Sequence, residues 1–209
     1  AVDAAVATAF AIGVVEPQMS GLGGGGVANV WFQRERQSVY LDFYSAQPVD
    51  AWRGRTEPAA SQPPSVAADS EQASAGPTAR KPGDLRVVAI PGEVAGLVTL
   101  HGKYGKLPLA TVMAPAIRLA DEGFPIGQIL AAFIVEGEAK MKPFPEAHAL
   151  MFPDGKPLQP GQVLRNPALA ESLRRIAADG RKGFDEGPAA AAIVAALNAG
   201  GHPARLDDL

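Results

Sequence analysis

The run Gly21-Leu22-Gly23-Gly24-Gly25-Gly26 constrains this chain more than any other segment. Glycine lacks a Cβ, so such a run tolerates positive φ and lets a second backbone or a ligand approach within contact distance. The run formally satisfies G-x-G-x-x-G, the dinucleotide fingerprint, with Asp42 placed where a ribose-binding acid could stand. That fingerprint needs a strand before it and a helix after it, so that pyrophosphate meets the helix N-terminus. Here an apolar helical segment precedes the run and a strand-like segment follows. The glycines are therefore read as a turn fitted under a neighbouring segment or as the lining of a site.

The flanking pattern supports that order. Residues 3–15 are apolar on nearly every face, which predicts a buried helix, with Asp3 as its cap and Glu16-Pro17 as its stop. Val27–Phe32 and Ser38–Phe43 are strand-like segments joined by Gln33–Gln37, which predicts a β-hairpin. Residues 48–82 are rich in Ala, Ser, Pro and Gln without apolar periodicity and read as a long surface loop. Val87–Ile90 is a short strand candidate, and Pro91-Gly92 turns the chain into a helix that begins about Val94 and ends near Gly102 to Gly105. Further helices are expected near 108–121, 126–140, 167–179 and 188–199, each bounded by Gly, Pro or Asn. There is no fixed-period repeat and no parallel β-α alternation, so the fold class is α+β.

Composition narrows the chemistry. The 209 residues carry 19 Lys+Arg against 22 Asp+Glu, a net charge of −3, which speaks against general nucleic-acid binding. No apolar run approaches the roughly 18 residues of a membrane span. With no cysteine, disulfides, thiolate zinc sites and cysteine nucleophiles are excluded. The segment has no basic n-region of a signal peptide and no initiator Met; its helical pattern is already running at Ala4, so it reads as the interior of a longer protein.

Individual candidates do not assemble into a catalytic set. Ser20 lacks the glycine two positions earlier that a nucleophile elbow requires. His101, His148 and His202 match no metal-binding spacing and read as surface or loop histidines. Asp121-Glu122 and Asp207-Asp208 serve helix ends or solvent, Lys103 is a solvated lysine, and Arg174, Arg175, Arg181 and Lys182 fit dipole compensation at a helix end. No metal and no cofactor is expected.

Longer blocks carry more. Ala1–Ala7, Gly13-Val14-Val15-Glu16-Pro17, Ser20–Gly26 and Leu41-Asp42-Phe43 closely resemble the opening of the γ-glutamyltransferase family. The resemblance continues through Ile90–Leu97, Tyr104–Pro108, Pro115–Ala120, Glu122-Gly123-Phe124, Asn166-Pro167 with Leu169-Ala170, and the closing Asp207-Asp208-Leu209. It covers nearly the whole chain in family order and implies an N-terminal-nucleophile hydrolase with an αββα sandwich. Such a precursor, a zymogen, cuts itself into a large and a small subunit. Residues 1–209 resemble an incomplete portion of the large subunit, with the small subunit of the same precursor as partner. The threonine nucleophile and oxyanion glycines belong to the small subunit, so no catalytic residue is expected in this chain and none of the activity is expected from it alone. It is also expected to be poorly stable without that partner. The implied chemistry is attack by a threonine hydroxyl on an amide carbonyl and transfer of the acyl group to water or an amine.

The implied substrate is a small-molecule γ-glutamyl amide such as glutathione. Members that accept γ-glutamyl groups usually have an arginine after the Asp-Phe pair, where it binds the substrate α-carboxylate. Here that position is Tyr44, within Asp42-Phe43-Tyr44-Ser45-Ala46-Gln47-Pro48. Tyrosine offers one neutral hydroxyl in place of a charged fork. The exchange strengthens the alternative of a related acylase of the cephalosporin or glutaryl type, unless Arg53 or Arg55 substitutes; Tyr44 as a packed strand-end residue is the plainer reading. A noncatalytic homologue or binding module is the competing class. The resemblance points to a periplasmic or extracellular setting, and a cysteine-free chain suits the cytoplasm equally.

Overall fold

A computed structural model describes residues 1–46, 85 and 88–209. The expected loop at 48–82, with Arg53 and Arg55, lies outside the described residues, as does Val87.

The first helix, α1 (Val2–Val15), buries Val6, Phe10 and Val14. Asp3 does not cap it. Its Oδ1 instead accepts the Lys106 N–H at 2.9 Å, and that bond chiefly holds the Asp3 carboxyl below the ordinary carboxylate range. The glycine run then enters the expected hairpin, β1 (Gly26–Phe32) and β2 (Gln37–Phe43), paired antiparallel in the register Ala28↔Leu41 and Val30↔Val39. Alternation places Ala28, Val30, Phe32, Leu41 and Phe43 on the covered face and Val27, Trp31 and Tyr40 on the exposed one.

The helices α2 (Glu93–Tyr104), α3 (Leu109–Glu122) and α6 (Pro167–Asp179) form the main core with α1. Between α3 and α6 come a two-residue strand β3 (Phe124–Pro125), α4 (Gln128–Met141), α5 (Pro145–Met151) and β4 (Val163–Leu164). The chain closes with α7 (Lys182–Asp185), α8 (Pro188–Ala199) and a short 3-10 turn at Leu206–Asp208. α3 packs between α1 and α6, and their contact buries Met113, Ala116, Leu173 and Ile176 almost completely. Asn166 starts α6 as expected, its side chain accepting the Leu169 N–H at 3.0 Å. A second cluster gathers Ile126, Leu130, Ile134, Phe152, Leu158 and Leu164 around α4. A third joins Ile90 to Ala190, Leu197, Ala204 and Leu209. No described helix is long and apolar enough to cross a membrane.

Several expectations change in detail. Ile90 forms an isolated bridge to Ala46, and the described Val88 and Ala89 before it are not in a strand. The pairing of Phe124-Pro125 with Val163-Leu164, together with α5 and α7, has no counterpart in the sequence reading, because two- to seven-residue elements are fixed by tertiary contact rather than by periodicity. Among the described residues the result is mostly helical with two small antiparallel sheets, an α+β arrangement.

Candidate functional site

Three segments distant in sequence converge on Phe43. The carbonyl of Gly24 accepts the N–H groups of Gly92 and Glu93 at 2.8 and 2.9 Å, tying the glycine run to the start of α2. The end of β2 lies across both. A Cβ on Gly25 would sit 2.5 Å from the Ser45 nitrogen, one on Gly92 2.1 Å from the Phe43 carbonyl oxygen, and one on Gly96 2.0 Å from the Phe43 ring. Glycine at these positions is a packing requirement: any side chain would displace the backbone or the ring. The turn reading of the glycine run applies here, since Gly25 fits under Ser45; a cavity there is bordered by the end of β2 and not lined by residues 21–26.

That cavity, about 260 Å³, opens at the end of β2 and is lined by Asp42, Tyr44, Gly92, Thr99, Arg181 and Asp208, among others. Ala46 and Ile90 close one side through reciprocal backbone bonds, Ile90 N–H to Ala46 O at 2.7 Å and Ala46 N–H to Ile90 O at 3.3 Å. Tyr44 is 74% exposed, so it is not a packed strand-end residue. Its backbone N–H donates to Asp42 Oδ1 at 2.9 Å, a local bond that turns the chain out of the strand and presents the tyrosine ring at the cavity.

Arg181 is the residue that sequence reasoning misplaced. It was expected to serve a helix end. Instead its Nη2 donates to the Leu209 carbonyl at 2.7 Å and its Nε to Asp185 Oδ2, holding the guanidinium in the cavity wall. Its neighbours in sequence also make specific bonds rather than dipole contacts: Arg174 donates to Asp121 Oδ2 at 2.5 Å and Arg175 to Glu171 Oε1 at 3.1 Å. No local pattern marks an arginine that reaches a site through tertiary folding, and only its bond to the Leu209 carbonyl, 28 residues away, reveals it.

Glu93 is half-buried on the other side of the junction, beside a small cavity lined by Phe10, Gly13, Gly21, Leu22, Leu169 and Leu173. These residues are uncharged, and burial pushes the Glu93 carboxyl above its ordinary range. The three histidines remain apart. His101 Nε2 lies 2.9 Å from the Leu107 carbonyl, and His148 stacks on Phe152 with ring centroids 4.5 Å apart. His202 corrects the surface expectation, being only 2% exposed.

Comparison with known proteins bears directly on this arrangement. A glutathione hydrolase of Aspergillus flavus is 36% identical over 214 residues, spanning 100% of this chain and 32% of that protein. An acylase ACY 1 proenzyme of Pseudomonas sp. (strain V22) is 33% identical over 201 residues, spanning 96% of this chain and 35% of its own length. The crystal structure of Helicobacter pylori γ-glutamyltranspeptidase superposes with a TM-score of 0.82 at 29% identity, covering 100% of this chain and 56% of that one. The chain spans about a third of the length of the curated relatives it matches. The gamma-glutamyltranspeptidase family model matches residues 1–209, and the chain belongs to that family.

Proposed function

We propose that the protein containing this chain cleaves γ-glutamyl amides such as glutathione, passing the γ-glutamyl group to water or to an amine. The observation that carries this reading is the junction at Phe43. The Ser20–Gly26, Leu41–Phe43 and Ile90–Leu97 blocks, which carry the family resemblance, meet there and leave Tyr44 at the mouth of a cavity. In this reading residues 1–209 are a large-subunit portion that shapes the substrate pocket, and Tyr44 is a substrate-side residue. The nucleophile is a threonine on a small subunit released from the same precursor. Its hydroxyl attacks the amide carbonyl, the amine leaves, and the acyl-enzyme is resolved by water or by an acceptor amine. The exposed outer face of the hairpin, with Val27, Trp31 and Tyr40, suits burial against further strands of an αββα sandwich supplied by that partner.

A second reading, an acylase that removes an uncharged or monoanionic acyl group, is supported by Tyr44, which stands where the resemblance implies the arginine that γ-glutamyl-accepting members usually have. Incubating the full-length protein with γ-glutamyl and glutaryl anilides separates the two. Faster release of aniline from the γ-glutamyl compound supports the first, and preference for glutaryl supports the second. A full-length protein that stays as one polypeptide and releases aniline from neither is a noncatalytic homologue.

A further inference from the structure

We infer that Arg181 and Asp42 form a reader for a zwitterionic α-amino acid head in the cavity at the end of β2, restoring the selectivity that Tyr44 would otherwise remove. The inference rests on the reading that this cavity takes the acyl end of the substrate.

Among the described residues, the charged ones lining the cavity are Asp42, Arg181 and Asp208. Arg181 is held at two points: its Nε by Asp185, and its Nη2 by the Leu209 carbonyl at 2.7 Å. A guanidinium has five N–H donors in a fixed fork, so this anchoring leaves N–H groups for a further acceptor while fixing their direction. Its side chain is 55% exposed, so those groups are open to a ligand. A carboxylate is the ligand that matches the fork best.

A simple monoanion fits the cavity less well than a zwitterion, because carboxylates stand in the same wall. Asp42 Oδ1 accepts the Tyr44 N–H, and Asp208 Oδ2 accepts the Arg205 N–H at 2.8 Å. A carboxylate with two oxygens accepts several hydrogen bonds, so Asp42 can hold Tyr44 in place and also receive an ammonium group. One cation with carboxylates beside it is the complement of a head that carries both signs, as the α-carbon of a γ-glutamyl group does. Neither charge is provided by the strand-end tyrosine. The two come from different elements: Asp42 from β2, Arg181 from the residue that precedes α7.

Four anilides test the assignment in the full-length protein: γ-glutamyl, with both charges; glutaryl, with the carboxylate alone; 4-aminobutanoyl, with the ammonium alone; and butanoyl, with neither. Arg181→Gln is expected to lower kcat/KM for the γ-glutamyl and glutaryl compounds by about 10- to 100-fold more than for 4-aminobutanoyl, the size of a lost charge-assisted hydrogen bond. Arg181→Lys keeps part of that selectivity. Asp42→Asn, which retains the acceptor for Tyr44, is expected to penalise γ-glutamyl and 4-aminobutanoyl and to spare glutaryl. An equal fall on all four compounds, or no fall, overturns the inference and leaves the proposed activity intact. If the wild-type protein cleaves none of them, the proposed activity fails, and calorimetric titration with L-glutamate decides the inference separately. Binding weakened by Arg181→Gln supports it; absence of binding, or binding indifferent to the substitution, overturns it.

Discussion

The helical layer and the Phe43 junction hold together by opposite means. Where α3 crosses α1 and α6, contact is made by large side chains, Phe10, Met113, Leu173 and Ile176, each 2% exposed or less. At the junction contact is made by removing side chains: Gly92 and Gly96 let the end of β2 lie directly on α2, and Gly24 supplies the carbonyl that joins the glycine run to the same helix. The first mode depends on apolar volume and tolerates exchanges that conserve it. The second tolerates no added atom.

Substitutions in the full-length protein, followed by chemical denaturation, put numbers on the contrast. Leu173→Ala is expected to destabilise most, by about 4 kcal/mol, through lost burial and the cavity left behind; a loss below about 1 kcal/mol would show that the helical layer collapses around the gap. Gly92→Ala follows at about 3 kcal/mol, because the added methyl meets the Phe43 carbonyl and not a side chain that can turn aside. Unchanged stability there would remove the claim that the junction is sterically dictated. Glu93→Gln is expected to stabilise modestly at neutral pH, by at most about 1 kcal/mol because the half-exposed carboxylate is partly screened by solvent, since a partly desolvated charge becomes a neutral amide. The sign follows from linkage: burial raises the folded carboxyl above its ordinary 4.5, so the folded state holds the proton more tightly. Its contribution is full below pH 4.5 and is lost as pH rises through the folded value. The advantage of glutamine should therefore disappear in acid; an advantage independent of pH would point to a different cause. The smallest effect is the sharpest control. Gly102 lies in the same helix as Gly96 with nothing within 4 Å of an added Cβ, so Gly102→Ala should stabilise by about 0.5–1 kcal/mol through helix propensity alone.

Much of this architecture was legible in the sequence. The hairpin was visible because its strands alternate and are separated by a polar turn, and α6 because Asn166-Pro167 and Gly180 mark its ends. Asp3 shows the limit of such reading. An acid before an apolar run suggests a cap, but a distant N–H at Lys106 competes for it and wins. His202 shows another: a histidine between Gly201 and Pro203 looks like a loop residue, and it is buried because the third apolar cluster closes over it. Tyr44 could be singled out because a resemblance made its position meaningful, whereas no pattern in residues 180–185 indicated that Arg181 faces the same cavity.

By itself, then, the sequence determined the longer elements and the family, because periodicity, helix-end residues and glycine content act over a few neighbouring positions. Only the tertiary structure decided that Gly24, Phe43 and Gly92 form one junction and that Asp42, Tyr44 and Arg181 share one wall. Those juxtapositions depend on how whole helices pack, a sum of contacts between segments remote in sequence, and no local pattern encodes which charged side chains that packing will place together.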